Sequence, residues 1–389
     1  MGCNRLQCSS GPLANGAAAA GIDTMANDFI TAEPRVATIK DVAREAGVSV
    51  ATVSRVFNDR TVVSADTAQA VRDVATRLNY WPNAAARSLI TSRTHTLGVL
   101  LPDLHGEFFS GVIRGLDVTA RRNGFHLLVS SSHAGPDELV SALRSMRGRI
   151  DGLVVMAPNV ETPAAIRDWV ADTPVVLIDP RGDYEGFDSV SIANFEGAHN
   201  IVSHLMALGH RRIATVTGPM CNVDAAQRRN GYREALREAG GVLSPELEIA
   251  GDFTEPSGHA AMFELLKREP RPTAVFVGND HMALGVMRAL AEAGVRVPED
   301  IAVAGFDDIE TARYLTPPLT TMRVDTFELG ARAVDRLLLI VTALAQGVPL
   351  ERMHQVLPAT LVIRGSCGSA AGRTSSSNIN RNHIPHHGR

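Results

Sequence analysis

The sequence is poor in cysteine and has no long apolar run. Its 389 residues include four cysteines, whose spacing matches neither a metal site nor a disulfide framework. Such sparse use of cysteine fits a reducing compartment. No apolar run approaches the ~20 residues needed to span a bilayer, and the alanines at 17–20 are too few for the core of a secretory signal. We therefore expect a cytoplasmic protein that does not engage a membrane.

Signatures of catalysis are also missing. The chain contains no Gly-x-Ser-x-Gly elbow, no Gly-x-Gly-x-x-Gly turn, no Walker loop and no His-Glu-x-x-His helix. These motifs would supply a nucleophile, a dinucleotide site, a phosphate cradle and a metal site. We therefore expect no enzymatic activity, no cofactor and no bound metal.

Charge is distributed unevenly. The formal net charge is -4, yet residues 37–95 carry eight basic and five acidic side chains, a local net charge of +3. A positive segment in an otherwise acidic chain is typical of a nucleic-acid-binding module.

Three short helices are predicted between Thr38 and Leu78. Thr38 and Asp41 form a capping-box start, and Gly47 is placed to end the first helix. Ser49 caps a second helix and Ser64 caps a third. Helices this short are not stable alone, so they must share one core. A helix, a glycine-containing turn and a capped helix with a polar outer face predict a helix-turn-helix headpiece.

From residue 97 onward, short β-branched runs alternate with helical stretches. The strand-like runs are seven: 97–101, 125–129, 152–156, 175–178, 212–216, 274–277 and 301–304. Apolar strands separated by helices predict parallel sheets covered on both faces. Seven such units exceed one ordinary sheet, so we predict two Rossmann-like lobes with a break near residues 192–194.

The headpiece segment resembles the LacI/GalR family. Residues 37–58, ATIKDVAREAGVSVATVSRVFN, resemble the family headpiece almost position for position, and the likeness continues through residues 78–89 and more loosely to Ile363. The resemblance implies an α-helical headpiece joined to a periplasmic-binding-protein-like α/β domain of two doubly wound sheets. It also implies a ligand-responsive transcriptional repressor that binds operator DNA as a homodimer.

The resemblance implies that three residues of the second helix read bases. Arg55 can bind guanine through a bidentate contact, whereas Val50 and Ala51 can contact thymine methyl groups. A homodimer presents two copies of this helix, which predicts a pseudo-palindromic operator. Side chains suited to phosphates surround these three residues: Thr38, Ser49, Thr52, Ser54 and Asn58.

Residues 82–91 form a short, alanine-rich segment that the resemblance identifies as a hinge helix. In the family this hinge orders on DNA, and the leucine at the position of Leu89 wedges into the minor groove. Arg87, on the same segment, completes the predicted DNA-contacting set. The alternative is that Leu89 packs against a lobe.

The predicted ligand site lies at the carboxyl ends of the strands, where doubly wound sheets bind ligands. The resemblance adds an arginine and an aromatic residue from the second lobe and two phenylalanines from the first. A guanidinium, carboxylates, an amide and an aromatic face suit a sugar. The full set is Phe108, Phe109, Asp179, Arg228, Phe253, Asn279 and Asp307.

Several alternatives stay open at this stage. Asp179, Asn279 and Asp307 each also suit a helix cap. A purine or nucleoside is the competing ligand, although Asn222 and Asp224 do not match the pattern of a purine repressor. A periplasmic sugar-binding protein shares the two lobes but would have no use for residues 38–89. The sequence does not indicate whether the ligand releases or tightens operator binding.

The predicted domains follow from these patterns. We expect a disordered extension, a headpiece, a hinge with linker, a sensing and dimerisation domain, and a disordered tail, at 1–36, 37–81, 82–95, 96–365 and 366–389. Within the sensing domain we expect a first lobe at 96–192 with 324–353 and a second lobe at 193–323 with 354–365.

Overall fold

A computed structural model describes residues 37–57, 63–81, 93–132, 136–156, 158, 166, 173–181 and 186–368. The chain divides into two compact units, Met1–Ala86 and Arg87–Arg389. The predicted hinge at 82–91 lies outside the described residues.

The first unit is a bundle of three helices: α1 Ile39–Glu45, α2 Val50–Phe57 and α3 Ala65–Arg77. The carboxylate of Asp41 accepts hydrogen bonds from the Thr38 amide at 3.0 Å and from the Thr38 hydroxyl at 2.7 Å. Gly47, at φ 66°, follows α1 in the left-handed region that a side chain would disfavour. The predicted common core of the three helices consists of Val42, Ala43, Val53, Val56, Val71, Val74 and Ala75.

The second unit contains two six-stranded sheets. The first has the strand order β11-β5-β4-β3-β1-β2, and all of its pairs are parallel. Its strands are β1 Thr96–Leu101, β2 His126–Ser131, β3 Gly152–Met156, β4 Val175–Ile178, β5 Asp188–Ile192 and β11 His354–Leu357. The helices that flank it are α4 Glu107–Arg122, α5 Pro136–Met146 and α10 Thr326–Gln346.

The second sheet repeats this topology in the order β12-β10-β9-β8-β6-β7. Its strands are β6 Ile213–Thr217, β7 Glu248–Ala250, β8 Ala274–Val277, β9 Ala302–Asp307, β10 Thr320–Arg323 and β12 Thr360–Val362. Only the edge pair of β10 and β12 is antiparallel among the described strands. The associated helices are α6 Asn194–Ala207, α7 Val223–Glu238, α8 Glu255–Leu266 and α9 Asp280–Glu292. Two doubly wound, parallel-rich sheets confirm the predicted fold class.

The chain crosses between the lobes after β5, after β10 and between β11 and β12. The first crossing lies at the break predicted near residues 192–194. Residues 354–357 correct one boundary: they were expected in the second lobe, but they pair with β5 from His354 opposite Ser189 to Leu357 opposite Ile192. The third crossing therefore comes after Leu357, because β11 extends the first sheet before the chain leaves it.

Helix α10 packs closely against helix α4. A Cβ built on Gly115 would stand 2.0 Å from the carbonyl oxygen of Phe327, and one on Gly330 would stand 2.3 Å from that of Val112. Glycine at both positions lets the two backbones approach to a distance that a methyl group would prevent. No helix among the described residues has the length and apolarity needed to cross a bilayer.

Candidate functional site

The exposed face of α2 brings together most of the predicted DNA-contacting residues. Val50, Ala51 and Arg55 are exposed, whereas Val53 and Val56 turn into the core. The Ser49 hydroxyl accepts a hydrogen bond from the Thr52 amide at 3.1 Å, so it caps the helix as its position predicts. Thr38 is exposed at the start of α1, and Ser54 is half-buried. Asn58, Arg87 and Leu89 lie outside the described residues.

A cavity of about 800 Å³ lies between the two lobes, within the size range of small-molecule sites. Residues at or just after the carboxyl ends of β1, β3, β6, β8 and β9 line it, which is where doubly wound sheets place their ligands. Six of the seven predicted ligand residues line this cavity: Phe108, Phe109, Arg228, Phe253, Asn279 and Asp307.

Arg228, on α7, is the central charged group of the cavity. Its side chain is only 5% exposed, and its guanidinium lies 3.8 Å from the centre of the Phe306 ring. Nε donates to Asn194 Oδ1 at 2.8 Å, and Nη1 donates to the Gly278 carbonyl at 2.6 Å. Nη2 lies 3.1 Å from Asp307 Oδ1. The group is therefore fixed in position before any ligand arrives.

Two buried carboxyl groups flank this guanidinium. Burial raises the pKa of Asp224 to about 6, against the lowering effect of Arg228, while the negative charge of Asp307 raises it further. Burial also raises the pKa of Asp307, and Arg228 acts in the opposite direction. Asp307 Oδ1 has no aligned hydrogen bond among the described residues, although it is within ion-pair distance of Arg228. Polar ligand groups suit such an oxygen.

The structure places Asp179 behind the cavity wall and not in its lining. Asp179 is buried at φ 43°, and its Oδ1 accepts a hydrogen bond from the Ile192 amide at 2.8 Å. Burial raises the pKa of Asp179, and the neighbouring carboxyl of Asp224 adds to that effect. Asp179 therefore acts on the cavity electrostatically and through the first crossing between the lobes.

Asn279 lines the cavity and also forms the helix cap that its position suggested as the alternative. Its Oδ1 accepts from the Met282 amide at 2.9 Å and caps α9, while its Nδ2 donates to the Phe253 carbonyl at 3.1 Å. The cap thus holds the segment that carries Phe253. The Phe253 ring lies over the backbone at Gly218, where an added Cβ would come within 2.2 Å of it. Phe108 and Phe109 form an edge-to-face pair on the opposite lobe.

The sequence analysis missed Asn194, His281 and Asp252. Asn194 is completely buried, and its Nδ2 donates to Asp224 Oδ1 at 3.1 Å while its Oδ1 accepts from Arg228. His281 and Asp252 line the cavity. Asn194 stands at the predicted break between the lobes, and that position was the only signal that pointed to it. No cluster of three or more potential metal ligands occurs among the described residues.

Three polar contacts span the two lobes at the rim of the cavity. Glu107 of α4 accepts hydrogen bonds from the amide and the hydroxyl of Thr311, the former at 3.3 Å. Arg181 Nη1 donates to the carbonyl of Cys221 at 2.9 Å. The Val223 amide donates to the carbonyl of Pro158 at 3.2 Å. These bonds hold the lobes against one another around the site.

Comparison with known sequence families gives two matches. The profile "Bacterial regulatory proteins, lacI family" matches residues 38–83, which contain α1 to α3. The profile "Periplasmic binding protein-like domain" matches residues 202–367.

Individual relatives match over nearly their whole length. The ribose operon repressor of Escherichia coli strain K12 is 38% identical over 334 residues, which cover 85% of this chain and 100% of the relative. The HTH-type transcriptional repressor PurR of Haemophilus influenzae strain PittEE is 34% identical over 336 residues, covering 86% and 99%. The structure of the Lac repressor dimer bound to operator and the anti-inducer ONPF matches with a TM-score of 0.77 at 34% identity, covering 86% and 99%.

Proposed function

Because this chain belongs to the LacI family of bacterial regulatory proteins, we propose that it is a repressor whose operator affinity is set by a sugar in the cavity between its lobes. It acts as a homodimer. Because the two copies of α2 are then related by a twofold axis, the operator is pseudo-palindromic. It works in the cytoplasm and carries out no catalysis.

The arrangement around Arg228 is the observation that carries the sugar assignment. A fixed guanidinium, two carboxyl groups and an amide lie beside three phenylalanine rings in one cavity. Vicinal hydroxyls both donate and accept, so they pair with carboxylates and with a guanidinium at once, while a ring face stacks on an aromatic side chain. Relatives support the class, since one is a ribose operon repressor.

A purine or nucleoside is the second candidate. Relatives named PurR support it, and so do the aromatic rings of the cavity. Asn222 and Asp224 argue against it, because they stand where the base-contacting residues of a purine repressor would align and do not match that pattern. Asn222 Oδ1 caps α7 by accepting from the Ala225 amide at 3.0 Å, and Asp224 accepts from Asn194.

At the DNA, Arg55, Val50 and Ala51 read bases, and Thr38, Ser49, Thr52, Ser54 and Asn58 contact phosphates. Arg87 and Leu89 act from the hinge at the centre of the operator. We assign the headpiece to residues 37–81, the hinge and linker to 82–95, and the sensing domain to 96–365, with the third crossing after Leu357.

Selection of genomic fragments on the purified protein tests the proposal, in the presence and absence of sugars, nucleosides and purines. We expect one pseudo-palindromic site that is released or tightened by a particular sugar. Arg55→Ala is the control for sequence readout, since this variant should lose the site. Recovery of no preferred sequence under any condition would refute the proposed function.

Replacement of Arg228 tests the ligand site separately. Arg228→Ala should abolish the ligand response, because Asp224 and Asp307 then face one another without a cation. Operator affinity should stay nearly unchanged, since the headpiece folds around its own core. Fluorescence anisotropy with labelled operator measures both quantities. If the variant responds to ligand like the parent protein, Arg228 does not take part in ligand binding.

A further inference from the structure

Acidic side chains outnumber basic ones in the cavity. Five carboxyl groups line it, and the only guanidinium among the described lining residues is that of Arg228. The other ionisable lining residues are His105 and His281, and Asp179 lies just behind the wall. The acidic lining residues come from both lobes: Asp103, Asp224, Asp252, Glu255 and Asp307.

The single guanidinium is already engaged by the protein. Its Nε and Nη1 donate to Asn194 and Gly278, and Nη2 faces Asp307. A phosphate group binds arginine through a paired set of N–H donors. Only N–H groups of Nη1 and Nη2 are left for a phosphate, and Nη2 already faces the carboxyl group of Asp307.

Helix N-termini at the cavity would ordinarily attract an anion. Each carries about half a positive charge through its aligned peptide dipoles. Here the helices α4, α7, α8 and α9 begin at the cavity, and each has an acidic residue in its first turn: Glu107, Asp224, Glu255 and Asp280. The carboxyl groups of Glu107 and Glu255 therefore offset the dipoles of α4 and α8, and Asp224, with its pKa raised to about 6 by burial, does the same for α7 once it is ionised.

A side-chain cap occupies one free amide at each of three of these helix ends. Asn222 accepts from the Ala225 amide, Thr254 from the Ser257 amide and Asn279 from the Met282 amide. Because these three amides are already paired, fewer donors remain at the helix ends for the oxygens of an anionic ligand. Asp252 adds fixed negative charge at the rim, where its Oδ1 accepts from the Thr254 amide at 2.9 Å and from the Thr254 hydroxyl at 2.6 Å.

We infer that the cavity accepts an uncharged, hydroxyl-rich ligand and rejects the phosphate ester or carboxylate derivative of the same compound. This inference rests on the proposed ligand site and adds the charge class of the ligand. A neutral hydroxyl can donate to a carboxyl oxygen such as Asp307 Oδ1, whereas a phosphate would share the cavity with the five acidic side chains that line it. In a cavity between lobes this repulsion is only partly screened, and we expect discrimination of more than about tenfold.

Isothermal titration calorimetry on the full-length dimer tests this inference with matched pairs. The pairs are ribose with ribose 5-phosphate, glucose with glucose 6-phosphate, galactose with galactose 1-phosphate, and adenosine with its 5′-monophosphate. The expected result is that a neutral member binds and that its ester binds at least about tenfold more weakly. An ester that binds as well as or better than its neutral parent overturns the inference, and so does binding by no neutral member.

A double variant that removes two negative charges tests whether electrostatic repulsion causes the weaker binding of the ester. Asp252→Asn with Glu255→Gln should reduce the difference in binding affinity between the neutral compound and its ester, because two carboxylates at the rim are lost. Asparagine keeps the oxygen that accepts from Thr254. Glu264→Gln is the matched control, since it removes one carboxylate from the far end of the same helix, and it should leave this difference unchanged. An unchanged difference in the double variant would contradict the electrostatic cause.

Failure of the inference can be told apart from failure of the proposed function. If an ester binds the cavity and shifts operator affinity, the protein is still a ligand-responsive repressor and only the charge class is wrong. If fragment selection recovers no operator, the proposed function fails whatever the calorimetry shows.

Discussion

The guanidinium-bearing side chain of Arg55 lies on the exposed face of α2, one turn beyond Ala51. A planar guanidinium there can meet both major-groove acceptors of one guanine, a contact worth roughly 1–3 kcal/mol of discrimination. A phosphate contact by the same residue would instead strengthen all DNA binding equally. Loss of a base contact should therefore weaken operator binding more than non-specific binding, whereas loss of a phosphate contact should weaken both equally.

Arg55→Ala should weaken operator binding about 10- to 100-fold and non-specific binding much less. Anisotropy titrations with operator and with scrambled DNA measure the two losses. Arg72→Ala is the control, because Arg72 is an exposed arginine on α3 and its loss removes the same charge. Equal losses on both DNAs would assign Arg55 to a phosphate.

Asp224 makes the ligand site sensitive to pH. Its pKa is raised to about 6 by burial, with Asp307 adding to the shift and Arg228 and Asn194 opposing it. The free protein therefore holds a proton on this carboxyl at pH 5 and releases it by pH 7. A ligand hydroxyl that donates to the carboxylate favours the ionised form. Asp179 and Asp307, whose pKa values are also raised, act in the same direction.

Ligand affinity should therefore rise from pH 5 to pH 7 and level off above it, by about tenfold if one proton is linked. Calorimetry across that range measures the slope with whichever compound the fragment selection identifies. Asp224→Asn should bind more weakly at pH 7 and show a shallower slope. An affinity that falls as the pH rises would mean that the ligand prefers the protonated carboxyl.

At the level of elements, the helices and most central strands could be predicted because their signals are local. The headpiece follows from its caps and from the glycine-containing turn, and its three short helices share one core as predicted. The predicted strand runs match β1, β2, β3, β4, β6, β8 and β9 to within a few residues. Apart from β2, which lies at a sheet edge and is half-buried, each of these strands is buried or nearly so, and this burial keeps its apolar run continuous.

The strands that the sequence did not reveal lack this pattern. Strand β5 carries Asp188, which is buried because Arg336 and Arg352 pair with it. Strands β7, β11 and β12 are short, and they lie at sheet edges where exposed side chains interrupt the apolar run. The same limit applies to Asn194, whose role depends on contacts with Asp224 and Arg228 about thirty residues away.

The packing of α4 on α10 depends on glycine. Gly115→Ala should lower the free energy of unfolding by about 1–3 kcal/mol, since its methyl group would meet the Phe327 carbonyl and push the two helices apart. Urea denaturation followed by circular dichroism measures the change. Ser110→Ala, at an exposed position of α4, is the control and should shift stability by less than about 0.5 kcal/mol. Equal stability of Gly115→Ala and the parent would mean that the helices can separate at little cost.

Over the whole molecule, the ligand site and the crossings between the lobes share residues. The first crossing is tied to the site through Asp179, which binds the Ile192 amide, and through Asn194. The second is tied to it through the Asp307 carbonyl, which accepts from the Val324 amide at 3.2 Å. A ligand that changes the charge or position of these groups therefore acts directly on segments that join the lobes.

The bond between Glu107 and Thr311 joins the lobes at the rim, so it stabilises the arrangement of this structure, here called closed, against any in which the lobes move apart at this point. A ligand enclosed by both lobes must bind this arrangement more tightly than an open one. Thr311→Val removes the hydroxyl and keeps the shape of the side chain. We expect several-fold weaker ligand binding, because a smaller fraction of the free protein is then closed.

Thr342→Val is the matched control for this variant, since Thr342 is exposed on α10 and its hydroxyl bonds only within that helix. Calorimetry gives ligand affinity, and anisotropy with and without ligand gives the coupling to operator. Thermodynamic linkage is reciprocal: the factor by which ligand changes operator affinity equals the factor by which operator changes ligand affinity. A variant that alters one factor must therefore alter the other equally. If Thr311→Val and Thr342→Val bind ligand with equal affinity, closure at this rim contributes nothing to sensing. The signal would then have to reach the headpiece through the crossings alone.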